Sequence, residues 1–203
     1  KGTAPRRLKT LFRYESMCCL TAFRFVVCAA ALERTSGSPR DLMHHVLEFT
    51  MPHTVFFLNG PNANLYGLDS AGTYGSESFA SIEAGCRQHA ASLGLTLVFR
   101  QSNHEGVLVD WIQEARLHAD AVIINAAGLT YTSIAILDAL LAFDGPIIEA
   151  HMSNLWKREA FRHHSYVSRA ATGVIAGLGA LGYRLALTAV AEWVNEPAKR
   201  QVE

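Results

Sequence analysis

From Thr54 onward two hydrophobic rhythms alternate along the chain. Continuous apolar runs, Val55 to Leu58 and Ala121 to Ile124, stop abruptly at turn-forming residues and read as strands buried on both faces. Leu95, Leu97 and Phe99 alternate instead, Ile147-Ile148 is a short run after Gly145-Pro146, and Gly173 to Ala176 closes the series. Between these runs the period becomes that of a helix. Phe79, Ile82, Cys86 and Leu93 share one helical face ahead of a stop at Gly94; Leu108, Trp111, Ile112 and Ala115 share another. Ile134, Leu137, Leu140 and Leu141 give a third helix, and a last one runs from about Leu181 to Trp193.

Strands alternating with helices at this spacing predict a parallel sheet joined by right-handed crossovers and covered on both faces. The expected fold is α/β, a flavodoxin-like three-layer sandwich around a five-stranded parallel sheet, carried by residues 51–203. Such sheets bind ligands outside the carboxyl ends of their strands. Four polar clusters follow strands here, at Asn59 to Asn64, Gln101 to Glu105, Asn125 to Ser133 and Glu149 to Asn154. Each alone is ordinary turn chemistry. At four successive strand ends they point to a site. The stretch Gly145 to Ser168 is the richest, with Glu149, His151, Ser153, Asn154, Arg158 and Arg162. The two arginines, four apart, either serve that site or form one solvated face of a short helix.

Composition narrows the chemistry. At 203 residues the chain is long enough for a core without disulfides or metal, and 50% hydrophobic with 18% charged residues is ordinary for a soluble protein. Eighteen basic residues balance eighteen acidic ones, so nucleic acid is not an expected partner. Cys18, Cys19, Cys28 and Cys86 show neither a disulfide framework nor zinc-ligand spacing, which fits the reducing cytoplasm. Residues 1–50 read differently. Lys1 in place of Met suggests a fragment or a processed end, and Arg6, Arg7, Lys9 and Arg13 precede an apolar run too short and too charged to span a membrane. This segment reads as a poorly ordered extension; an organelle-targeting segment and upstream sequence before Met51 are the alternatives.

No HExxH spacing is present, and adjacent His163 and His164 point apart, so no metal is expected. There is no GxSxG elbow. The GLGALG stretch at Gly177 follows the last strand and lacks the later acidic residue of a dinucleotide site, so it reads as close helix packing. A cofactor-free acid/base set remains. Arg162 can grip a carboxylate, Asn125, Ser153 and Asp138 can bond hydroxyls, and His151 can deliver a proton near neutral pH. That set suits a small polyhydroxylated carboxylate.

The segments LNGPNANLYG (58–67), TYG (73–75), FRQSNHEG (99–106), VDWI (109–112), NAAGLTYTS (125–133), IEAHMSN (148–154) and REAFRHHSYVS (158–168) resemble type II 3-dehydroquinate dehydratase, in order, over nearly the whole patterned region. The resemblance implies a flavodoxin-like fold, a dodecamer built from trimers and a cofactor-free lyase of the shikimate pathway, dehydrating 3-dehydroquinate to 3-dehydroshikimate. By the same resemblance Tyr74 is the tyrosinate base, His151 the acid for the departing hydroxyl, and Asn59 the holder of a water that stabilises the enolate. Asn125, Tyr131, Asp138, Met152, Ser153 and Arg162 fall at substrate-binding positions. Asn62 belongs to the first-strand motif, Glu149 would orient His151, and Arg158 supports the same segment.

Two positions depart from the pattern. Asp69 stands where the family carries an arginine five residues before the tyrosine, and Tyr131 stands where it carries a histidine. A free tyrosine has a pKa near 10, so roughly one in a thousand is ionised at neutral pH. A nearby guanidinium favours the tyrosinate, whereas a carboxylate there disfavours it. The substitution is thus expected to slow proton abstraction by on the order of a hundredfold.

Overall fold

The computed structural model describes residues 52–68 and 76–195. The expectations for residues 1–50, and for Asp69 and Tyr74, lie outside the described residues. Five parallel strands form one sheet: β1 (Thr54–Asn59), β2 (Thr96–Gln101), β3 (Ala121–Asn125), β4 (Ile147–His151) and β5 (Gly173–Ala176), in the order β2-β1-β3-β4-β5. The longer helices are α1 (Phe79–Ser92), α2 (Glu105–His118), α3 (Ile134–Leu141) and α4 (Gly179–Asn195). The expected α/β sandwich is what the chain forms.

Alternation along the strands builds a core on each side of the sheet. Val55, Phe57, Ile123 and Ile148 pack with Ile82 and Cys86 of α1 and Leu187 of α4. Their neighbours Phe56, Leu58, Val122 and Ile147 pack with Leu108 and Ile112 of α2 and Leu140 of α3. Because period-two strands send successive side chains to opposite layers, runs with no polar position at all are what a doubly covered sheet requires. Helix ends follow local chemistry: Ser78 caps α1 by accepting from Ser81 N, Ser133 caps α3 by accepting from Ile136 N, and Gly94 leaves α1 at φ +70°.

Strand order reverses between β1 and β3, and their ends are in register at Asn59 and Asn125. A crevice forms at such a reversal. The loop after β1 closes onto β3 there: Gly60 N donates to Asn125 O at 2.7 Å, and a Cβ on Gly60 would lie 2.5 Å from Ala126 O, so no larger residue fits.

Two expectations need correcting. β4 is five residues long, not two, so Glu149 and His151 lie within the strand and not after it. The polar strand is tolerated because its carboxylate is fully bonded. Arg158 and Arg162 do not share a helical face. Short 3₁₀ turns at Leu155–Lys157 and Ala160–His163 leave Arg158 extended between them, and the Asn154 side chain, accepting from Trp156 N at 3.1 Å, starts the first turn.

Candidate active site

A cleft of about 570 Å³, counting its open mouth, lies over the ends of β1, β3 and β4. Eight of the sequence candidates line it: Asn62, Asn125, Tyr131, His151, Met152, Ser153, Arg158 and Arg162.

The β4 part of the wall is built from the inside. Glu149 and His151 are two apart on one strand, so they share a face, and His151 Nε2 lies 2.6 Å from Glu149 Oε1. The Ser165 hydroxyl also donates to Oε1, at 2.9 Å, and the Ser168 hydroxyl donates to Oε2. Glu149 has no exposed surface. Burial pushes its carboxyl up, but the bonds from His151, Ser168 and Ser165 outweigh that and hold it below the usual carboxylate range. An ionised carboxylate only accepts, so Nε2 carries the proton, and Nδ1 is the nitrogen left for a ligand. Glu149 takes no bond from Arg158, whose Nη1 donates to Ser153 Oγ at 3.1 Å instead.

Beyond β4 the wall is cationic and aromatic. The Tyr131 ring stacks on His151 at 6.4 Å between centroids and 15° between planes, and the Arg162 guanidinium lies 5.5 Å from the Tyr131 ring centre. Arg162 Nε donates to Glu159 at 2.8 Å. Burial raises the Tyr131 phenol above its ordinary value, only partly countered by Arg162, so this hydroxyl stays protonated at neutral pH.

Three candidates sit elsewhere. Asn59 does not reach the cleft: it is wholly buried, accepts from the Tyr183 hydroxyl at 2.9 Å and donates to Arg100 O at 3.3 Å. Glu149 lies behind His151. Asp138 is exposed on α3 and does not line its own chain's cleft. The Gln101 to Glu105 cluster does not line it either. Gln101 and Asn62 N both donate to Asn103 Oδ1, at 2.9 and 3.0 Å, bracing the loop after β1.

The sequence reading missed Tyr66, Ser165, Ser168 and Tyr183. Tyr66 lines the cleft and accepts from Asn125 Nδ2 at 3.0 Å. Tyr183 was legible only as a polar-tipped residue on the inward face of α4. The serines were visible in HHSYVS as ordinary loop polarity.

Residues 53–191 match the family described as dehydroquinase class II. The chain belongs to that family. A 3-dehydroquinate dehydratase of Streptomyces avermitilis is 56% identical over 138 residues, 68% of this chain and 87% of the relative. One from Acidovorax sp. (strain JS42) is 51% identical over 148 residues, 70% of this chain and all of the relative. The crystal structure of the type II dehydroquinase from Propionibacterium acnes superposes with a TM-score of 0.67 at 40% identity, covering 70% of this chain and 98% of that one. This class II dehydroquinase therefore carries the family fold that its motifs implied. No helix among the described residues is long and apolar enough to cross a membrane.

Proposed function

We propose that this chain is a hydro-lyase that dehydrates 3-dehydroquinate to 3-dehydroshikimate in the shikimate pathway. The substrate carboxylate lies on Arg162, and ring hydroxyls meet Asn125, Ser153 and the neutral Tyr131, with backbone contact at Met152. The Tyr74 phenolate takes a proton from the carbon beside the ketone, leaving an enolate. As the enolate collapses, the C–O bond breaks and the hydroxyl leaves as water, taking the Nδ1 proton of His151 in its doubly protonated form while the Nε2 proton stays on the bond to Glu149. No cofactor enters this scheme. The observation that carries the reading is the buried Glu149–His151 pair, with one ring nitrogen held and the other left for a ligand in a cleft bordered by Arg158 and Arg162. The role of Tyr74 rests on the family resemblance.

The working form is a homo-oligomer, a dodecamer of trimers. Asp138 supports this, because it lies on one exposed face of α3 between Ile134 and Leu141, which are 57% and 61% exposed. Apolar residues that open to solvent mark a contact surface, and a neighbour's cleft is where Asp138 would meet a hydroxyl. The reducing cytoplasm suits the free thiol of Cys86, which burial pushes up to about 12 and so keeps protonated.

Purified protein mixed with 3-dehydroquinate should develop the absorbance of the conjugated enone; none above buffer at high enzyme concentration overturns the reading. The second reading is a weak or inactive homologue binding a cyclic hydroxy-acid, or a dehydratase of a related or quinate-catabolic substrate. Asp69 and Tyr131 favour it. A steep rise in turnover on Asp69→Arg identifies the missing cation as the only defect, whereas no rise favours the binder.

A further inference from the structure

We infer that Ser165 and Ser168 are positioning residues that make the doubly protonated Glu149–His151 couple an ion pair, carboxylate against imidazolium, and so make His151 an acid. The same two protons could instead sit as a neutral pair, carboxylic acid against imidazole, and a neutral imidazole is a far weaker acid. The use of that acid rests on the proposed reaction; the placement of the protons stands on the geometry.

Burial favours the neutral arrangement. Glu149 has no exposed surface and His151 is 4% exposed, and charge is costly where water does not reach. What opposes burial is the set of donors aimed at the carboxylate. Ser165 donates to Oε1 and Ser168 to Oε2, while His151 Nε2 lies 2.6 Å from Oε1. A hydroxyl bond to a carboxylate is roughly twice as strong as one to a neutral group, so each serine moves the shared proton toward the imidazole. The other charged and titratable side chains beside the couple do not fill this role. Arg158 donates to Ser153 and Arg162 to Glu159, and the Tyr131 phenol, stacked on the imidazole, stays protonated.

The serines reach Glu149 because of how their segment turns. Ser165 Oγ accepts from Ser168 N at 2.9 Å, which closes the turn with a side chain and leaves the Ser165 proton for Oε1. Between them Val167 is buried in the core shared with α2 and α3, and Tyr166 N donates to Thr130 O at 3.0 Å, so both middle residues are anchored. Ser168 itself is exposed and Ser165 half-buried. Removing either hydroxyl therefore leaves no hole in the core. Arg162 lies on the same segment, so one stretch of chain supplies a rim cation and the two donors that keep the floor charged.

Solid-state nitrogen NMR of histidine-labelled protein tests this, because protonated and bare ring nitrogens resonate far apart; the His151 signals are those missing from His151→Ala. As pH is lowered until the couple holds two protons, wild type and Ser168→Thr, which keeps the hydroxyl, should show both ring nitrogens protonated. In Ser165→Ala/Ser168→Ala, Nδ1 should gain a proton while Nε2 yields its own to Glu149. Both nitrogens protonated in that variant, or a neutral ring in wild type, overturns the inference whatever the enone assay shows. Turnover gives a second readout. Ser168→Ala should lower kcat about tenfold, the usual worth of one bond to a charged group, with no change in affinity for quinate, a hydroxylated ring carboxylate with no ketone and hence no turnover. In the Glu149→Gln background the same change should cost under about twofold, because the charge it acts through is gone. Equal losses in both backgrounds also overturn the inference. Wild type that shows the expected nitrogen pattern and forms no enone overturns the proposed function and not the placement of the protons. Should the double alanine variant fail to fold, Ser168→Ala carries the nitrogen measurement alone.

Discussion

His151 and Arg162 border the same cleft, yet they are held by opposite means. His151 sits in the middle layer of the sandwich, 4% exposed, on a strand whose neighbour Glu149 takes three hydrogen bonds. Arg162 sits on a 3₁₀ turn beyond the strand, paired with a half-exposed Glu159 and laid over the ring of Tyr131. The floor has one geometry available to it. The rim has several, since an exposed ion pair is worth little and holds a long side chain loosely. The difference matches the chemistry each would perform. Proton delivery fails when an imidazole turns by a fraction of its reach, whereas a guanidinium can follow a carboxylate. Of the two positions that depart from the family's pattern, Tyr131 is on the rim and Asp69 lies outside the described residues.

The comparison is broken or sharpened most by His151→Ala, which should lower kcat for enone formation by about a thousandfold while quinate still binds. Glu149→Gln comes next. Turnover should drop by ten- to a hundredfold, on the order expected for a buried bond to a charged group, because the tautomer and aim of His151 are no longer held. Stability changes with it. The folded-state pKa of Glu149 lies below its unfolded value, so its contribution is complete above about pH 4.3 and is lost as pH falls through the lower folded value. Melting temperatures taken from neutral to acidic pH should therefore fall less steeply at the acid end in Glu149→Gln than in wild type. Arg162→Lys keeps the charge and loses the fork; a KM rise of about tenfold with kcat changed less is the expected result. Smallest is Tyr131→His, for which a shift of a few-fold in kcat/KM is expected, since one half-buried rim hydroxyl is exchanged for a smaller ring. A collapse of activity there would erase the distinction between floor and rim.

Much of this was legible in the chain itself. Period-two and period-3.6 segments placed every strand and long helix among the described residues, because a sheet covered on both faces leaves no room for polar positions within Val55–Leu58 or Ala121–Ile124. β4 was read short for the same reason in reverse. Glu149 and His151 broke the apolar run, and only tertiary contacts, two serines from a segment 16 to 19 residues later, show why a strand can bury a carboxylate. Asn59 was expected at the site because it matches the family's first-strand motif. Its neighbour in register, Asn125, faces the ligand space, while Asn59 is one link further back, and no spacing in the sequence separates those two roles. Tyr183 is separated from Asn59 by 124 positions, beyond the reach of any local pattern.

The central claim is that the buried Glu149–His151 pair and Arg162 address opposite sides of one bound ring. A crystal structure with quinate in the cleft tests it most directly. The predicted result places the ligand carboxylate on the Arg162 guanidinium and a ring hydroxyl within hydrogen-bond reach of His151 Nδ1, with Nε2 still on Glu149. A ring bound with its carboxylate on His151, or with His151 turned so that Glu149 has lost it, contradicts the account.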